Sequence, residues 1–418
     1  MTERGQASSR ANKHHEMNES ALRMPGLSRN ITLYGVLWLV VCLLLSRGLY
    51  AVGLVAILLG VSGQAFYEGS LNLTRSIWAL LVLGVLLFLQ GIAVAPIAYG
   101  ISPYPVLWCL VTAVGVWELG EQPVSGRLMR FQFFGPLLVL FVFANLTIDI
   151  FRAYWPPPPW YGKSGLFSNV HYQAMYSVMT LPLGVYVMIH SRTFMIRLVM
   201  ALTILGNLWL LLETRSRPGY LALLCSAWVV IPFVKSGLRW KVIILTVSVP
   251  LLLYLGNIAN FSTRVDEFLA HFAQEERWTI WTETVRLQKQ STETEWLFGH
   301  GFGAFFHDFR AFALLHEDMS TFLSPHNFFM EILYSHGVLG LVVVTLAYGS
   351  FIYRLAKFIW LDDCPSSRQI GLLLLSVATA QLVHGFSTVP FFSRDYLLPL
   401  GFVLGAGFLY AEKSYQAA

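Results

Sequence analysis

The run Ser324-Pro325-His326-Asn327 holds the residue best surrounded for proton transfer. Ser is a favoured N-cap and Pro a favoured first helical residue, so the run predicts a helix start with His326 in its first turn. The helix dipole there disfavours the imidazolium and leaves the neutral imidazole that a general base needs near pH 7. A histidine that only hydrogen-bonds to the helix start fits the same four residues. A second chemistry sits in Glu213-Thr214-Arg215-Ser216-Arg217-Pro218-Gly219. Pro218 predicts the opening of a helix and Arg217 its cap, so Arg215 and Arg217 meet free backbone N–H groups at a positive helix end. That geometry suits a phosphate. Arginines at a membrane edge also snorkel to lipid phosphates, which is the plainer reading.

Arg277 is a candidate third cation, on one helix face with Trp281 four residues later, although Glu275, Glu276 and Arg286 could make this an ordinary solvated face. Asn169, His171 and Gln173 form a polar start to an apolar stretch and could bond a glycan or satisfy a helix end. In Gly299-His300-Gly301-Phe302-Gly303 the alternating glycines permit a tight turn and close approach of another chain or a ligand. The turn lacks the strand and helix of a nucleotide loop. His300, His307 and His316 lie seven and nine apart, which is not metal-ligand spacing, so no metal is expected.

These residues stand in an unusually apolar chain of 418 residues, 56% hydrophobic and 12% charged, against about 25% charged in a soluble domain. Apolar runs of the length needed for a hydrocarbon slab of about 30 Å recur along it, near 31–48, 50–67, 76–95, 101–118, 131–150, 173–190, 194–213, 218–234, 241–258, 337–355, 370–387 and 395–411. The expected fold is therefore all-α, a polytopic membrane protein of about twelve transmembrane helices. Its largest outer loop falls between spans 9 and 10. Most Lys and Arg residues fall inside if the N-terminus is cytoplasmic. This orientation predicts a cytoplasmic tail 1–30, spans 1 to 9 over 31–258, an outer loop 259–336 carrying the candidate motifs, spans 10 to 12 over 337–411 and a cytoplasmic tail 412–418.

The net charge of +5 follows from the same positive-inside bias, so no nucleic-acid partner is expected. Cys42, Cys109, Cys225 and Cys364 sit in spans or a cytoplasmic loop and predict no disulfide. Glu118, Glu121, Arg127 and Arg130 read as a solvated cytoplasmic turn. Residues 263–290 show helical apolar spacing and predict one amphipathic helix on the membrane plane or over a cavity. Pro156 to Pro159, flanked by Tyr and Trp, predict a stiff strap at headgroup level or a rim for a lipid or sugar. A lipid-glycan flippase also has twelve spans, but would spread polar residues through the membrane and show internal repeats. Here the polar residues gather on one side.

Taken together, Ser216-Arg217, Arg277 with Trp281, the glycine turn 299–303, His326-Asn327 with Glu331, and Gly337 with Gly340 resemble the O-antigen ligase and polymerase superfamily of bacterial envelope glycosyltransferases. Pro218 stands where that family usually has Gly, and Met330-Glu331 where it usually has Leu-Gln. The resemblance implies transfer of an undecaprenyl-pyrophosphate-linked glycan, without nucleotide or metal, foremost to a sugar of lipid A-core as in an O-antigen ligase, with a growing glycan (a polymerase) or a protein (an oligosaccharide ligase) as the alternative acceptors. It implies an inner-membrane enzyme working on the periplasmic face. Arg217 and Arg277 would bind the pyrophosphate and His326 would activate the acceptor hydroxyl. Arg215, Asn169, His171, Trp281, Gly301, Gly303, Asn327 and Glu331 are the expected substrate contacts.

Overall fold

The computed structural model describes residues 28, 30–42, 50–68, 73–94, 104–120, 124–154, 167, 169–234, 236–258, 261–270, 276–313, 324–361, 365–386 and 390–417. Among them the protein is all-α. The helices are α1 (Asn30–Cys42), α2 (Tyr50–Glu68), α3 (Arg75–Val94), α4 (Tyr104–Gly120), α5 (Val124–Tyr154), α6 (Val170–His190), α7 (Phe194–Glu213), α8 (Arg217–Trp228), α9 (Ser236–Leu255), α10 (Phe261–Ala270), α11 (Glu276–Lys289), α12 (Glu293–Phe298), α13 (Ala304–Ala313), α14 (Phe328–Leu361), α15 (Pro365–Gly385) and α16 (Arg394–Ala417). Every apolar stretch read from the sequence coincides with one of α1 to α9 or α14 to α16. Three of these, α3, α7 and α14, are long and apolar enough to cross a membrane, and five others contain shorter apolar segments. The proline run, the 118–121 acids and His316 lie outside what is described of backbone or side chains, as does Cys364.

The helices approach closely where side chains are small and lock where polar groups are buried. A Cβ on Gly401 or Gly405 of α16 would press on the Cys109 or Ala113 carbonyl of α4, so these glycines let the two backbones touch. Asn207 of α7 donates to the Ser177 carbonyl at 3.2 Å and to Thr180 Oγ1 at 2.9 Å on α6. Gln381 and Tyr396 exchange side chain to carbonyl bonds between α15 and α16, at 2.7 and 3.1 Å. Tyr348 on α14 donates to the Ala378 carbonyl at 2.8 Å, and Ser376 to that of Ser226 on α8 at 3.0 Å. In apolar surroundings such paired groups fix register, because an unpaired alternative is costly.

Residues 263–290 do not form the single helix expected. They are divided between α10 and α11, and the intervening 271–275 lie outside the described residues. α11, α13 and the start of α14 enclose a small core of Ile280, Phe305, Phe309 and Tyr334, apart from the main helix core. α14 is kinked at Gly337, where that residue takes φ 66° and ψ −170°. The kink turns the Tyr334 and Ser335 carbonyls away from their usual helical donors. The glycine turn replaces those donors: His300 N–H bonds to the Tyr334 carbonyl at 2.8 Å and Gly301 N–H to that of Ser335 at 2.9 Å. Gly299, at φ 78°, crosses the kink so closely that a Cβ on it would overlap the backbone of Ser335 and His336. Gln90 of α3 completes the junction, its amide donating to the Phe298 carbonyl and accepting from His336 Nδ1.

Gly299→Ala should therefore destabilise the protein by at least about 2 kcal/mol, through left-handed strain and backbone overlap together. Gly349→Ala, with nothing within 4 Å of its Cβ position, should not destabilise it. Thermal unfolding midpoints of the two variants in detergent check this contrast.

Candidate active site

Three helix starts meet at the end of the bundle where the candidate residues lie. Asn169 caps α6, its Oδ1 accepting from the His171 N–H at 2.8 Å. The side-chain oxygen of Asn169 thus satisfies the helix end. Ser216 caps α8, accepting from the Gly219 N–H at 3.3 Å. The expected cap, Arg217, is instead the first helical residue and Pro218 the second, because only the serine oxygen can accept that bond. At α14 the cap is Asn327, whose Oδ1 accepts from Phe329 and Met330 N–H at 3.0 and 3.2 Å. Ser324 and Pro325 therefore do not open the helix. His326 stands just before it in left-handed backbone, φ 52°, with its N–H bonded to Ser324 Oγ at 3.3 Å. Arg215 takes the same backbone conformation, φ 52°. Such residues cost of order 1–3 kcal/mol each and cluster at functional sites.

His171 lies at the centre of this arrangement, in the first turn of α6 ahead of its long apolar stretch. Its Nδ1 is 3.5 Å from Ser216 Oγ. Burial first, then the charge of Arg277, that of His326 when it is protonated, and last that of Arg217 push its pKa down from 6.5 to about 3. The ring is neutral at pH 7. Three residues proposed from separate stretches of sequence are therefore near enough to act on one imidazole. Arg277 comes from the first turn of α11, Arg217 from that of α8 and His326 from the approach to α14. His384, buried near the end of α15, is coupled electrostatically to His171 and Arg277 and joins the cluster. The positive ends of α6, α8 and α14 and two guanidiniums put positive charge at this end of the bundle, which is what the anion site expected from the sequence requires.

The remaining candidates position these groups. Trp281 Nε1 donates to the Pro325 carbonyl at 3.0 Å and ties α11 to the His326 segment. The Trp281 ring also meets Phe386 edge-on at 6.2 Å. Glu331 is buried, and its carboxylate accepts from the Phe391 and Phe392 N–H groups at 2.6 and 3.5 Å. With both oxygens so occupied, Glu331 holds the α15–α16 connection against α14 rather than facing a substrate. Gly301 and Gly303, at φ 86° and 77°, shape the turn that packs on the α14 kink. Arg394 pairs with Asp395 at 3.5 Å, as an adjacent pair can, and lies 4.7 Å over the Tyr50 ring.

Residues 178–345 match the family described as O-antigen ligase. The match supports the resemblance to the O-antigen ligase and polymerase superfamily over that segment. Curated proteins give no match to it. The O-antigen ligase segment runs from within α6 to beyond the α14 kink. It takes in Arg217, Arg277, the glycine turn and His326, and leaves Asn169 and His171 just ahead of it. Gln90 carries positioning bonds that the sequence does not single out, and Ser216 the capping bond expected of Arg217. Ser216 has a local signal, a cap-forming residue before Pro, whereas the partners of Gln90 are distant in sequence.

Asn327→Ala should cost about 1 kcal/mol of stability by leaving two helix-start donors without their cap. Asn327→Asp should keep both stability and activity if the oxygen is what matters. An Asp variant that is stable but inactive would give the Asn327 amide a direct substrate contact instead. Unfolding midpoints and transfer rates of both variants check this.

Proposed function

We propose that this protein is a membrane glycosyltransferase of O-antigen ligase type. It moves a glycan from undecaprenyl pyrophosphate to a sugar hydroxyl of lipid A-core at the periplasmic face of the bacterial inner membrane. The observation that supports the reading is geometric: His171 Nδ1 lies 3.5 Å from Ser216 Oγ beside Arg217, while Trp281, one turn along α11 from Arg277, bonds the Pro325 carbonyl beside His326 at 3.0 Å. The match of residues 178–345 to the family described as O-antigen ligase supports the general substrate class. In this reading α1 to α9 and α14 to α16 make twelve spans, both termini are cytoplasmic, and the segment 259–336 is periplasmic.

The chemistry follows from the charges. As the bond between the anomeric carbon and the diphosphate oxygen breaks, negative charge grows on the leaving group. Arg217 and Arg277, fixed before the reaction, stabilise that charge more in the transition state than in the ground state. His326 takes the proton of the acceptor hydroxyl while its oxygen attacks the same carbon. The products are the glycosylated acceptor, undecaprenyl pyrophosphate and a proton held by His326. Direct displacement inverts the anomeric configuration. The donor is activated by its own diphosphate, so the step draws on no nucleotide. His171, neutral among the cations, can bond to the donor without adding charge.

His326→Ala and Arg217→Ala should each lower transfer by about 10²-fold or more, the usual scale for losing a general base or a fixed charge, and leave membrane insertion intact. The assay is the purified protein with undecaprenyl-pyrophosphate glycan, with and without lipid A-core. Product only with lipid A-core supports the ligase, and longer donor chains would make the protein a polymerase. A retained linkage would discard direct displacement, and full activity of either variant would remove that residue from the mechanism.

A further inference from the structure

A second cavity, of about 630 Å³, opens between α11, α12, α13 and the upper part of α14, beside the end of α3. It is not the anion site. Leu287, at its edge, is ten residues along α11 from Arg277, and Tyr334 is six along α14 from Phe328. At about 1.5 Å per residue these are about 15 and 9 Å. The chemistry of its wall is also of opposite sign. Glu295 and Asp308 line it together with Gln290, Ser291, His300, His307 and Tyr334, and among the described residues no Lys or Arg lines it.

The polar groups of this wall hold one another in place. Tyr334 donates its hydroxyl to Asp308 Oδ2 at 2.7 Å, and Asp308 Oδ1 is 3.0 Å from His307 Nδ1. Glu295 Oε2 accepts from Thr292 N–H at 2.7 Å and from the Thr292 hydroxyl at 2.9 Å in a capping box. His300 stacks on Tyr334 with ring centroids 4.4 Å apart, and its Nε2 bonds to Ser291 Oγ at 2.7 Å. Burial pushes the His300 pKa down against the opposing pull of Glu295 and Asp308. Its ring therefore does not cancel the two carboxylates. Glu295 Oε1 and both Asp308 oxygens keep lone-pair capacity beyond the bonds described, while Glu295 Oε2 is taken up by Thr292. Rigid acceptors beside an amide, a hydroxyl and an aromatic surface suit a hydroxyl-rich ring, and fixed negative charge opposes an anionic one.

We infer that this cleft is a second saccharide subsite, distal to the point of transfer. It takes an uncharged or amine-bearing sugar and rejects carboxylated or phosphorylated ones. The inference rests on the transferase reading for its purpose, since an extended glycan reaches both places while its diphosphate stays with the arginines. The sugar belongs either to the donor glycan or to the acceptor.

Binding of triglucosamine, maltotriose and trigalacturonate to the full-length protein in detergent, followed by saturation-transfer NMR and titration, tests it. Triglucosamine should bind most tightly, maltotriose more weakly and trigalacturonate not at all. Glu295→Gln with Asp308→Asn should weaken triglucosamine binding about tenfold, the scale of one lost charge-assisted bond. Gln retains the capping box and Asn can still accept from Tyr334, so the fold is kept. Arg217→Ala should bind all three as the wild type does. Equal binding of trigalacturonate, no binding of any probe, or an unchanged double variant overturns the subsite. In the transfer assay, a raised KM for donor or for acceptor in the double variant assigns the sugar to one or the other. No transfer by the wild type from undecaprenyl-pyrophosphate glycan to any acceptor, with cleft binding intact, would defeat the transferase reading alone.

Discussion

A helix broken among apolar side chains leaves carbonyls that have to be bonded, because water is not there to do it. The kink of α14 at Gly337 creates that demand, and the turn Gly299 to Gly303 meets it with the N–H groups of His300 and Gly301. Glycine is required on both sides of the crossing, since a Cβ on either Gly299 or Gly337 would run into the other's backbone. Once the crossing forms, α11 to α13 are pinned over the start of α14. Arg277 and Trp281 ride on α11, so the same contact sets where the third cation and the His326 segment stand.

Electrostatically, this end of the bundle has two halves. Around His171, helix starts and arginines concentrate positive charge. Beyond Tyr334, Glu295 and Asp308 concentrate negative charge. Tyr334 belongs to the wall between them: its carbonyl bonds the glycine turn and its hydroxyl holds Asp308. A substrate with an anionic end and a hydroxyl-rich body is matched by such a division, whereas a uniformly charged molecule is not.

Much of this was legible in the sequence, and the reasons are local. An apolar run near twenty residues announces a helix by its length, and Arg215-Ser216-Arg217-Pro218 announces a helix start by residue type. The helix starts were less legible in detail. Ser324 and Asn327 are both good caps, and only the fold shows that His326 turns left-handed so that Asn327 does the capping. Glu331 read as a substrate contact because its partners, the N–H groups of Phe391 and Phe392, lie sixty and sixty-one positions away. Trp281 and the Pro325 carbonyl are 44 positions apart. His300 and His307 had a spacing that fits no metal, and the cleft that His300 shares with Asp308 exists only after α12, α13 and α14 pack.

The convergence of Arg277, Arg217 and His326 on one uncharged ring is tested most directly by titrating His171 in the intact protein, with ¹⁵N-labelled histidine followed by NMR. In the wild type the ring should stay neutral well below its ordinary pKa of 6.5, toward about 3, and Arg277→Ala should move its titration upward. Protonation near 6.5, unmoved by replacing Arg277 or Arg217, would mean that these charges do not share a site.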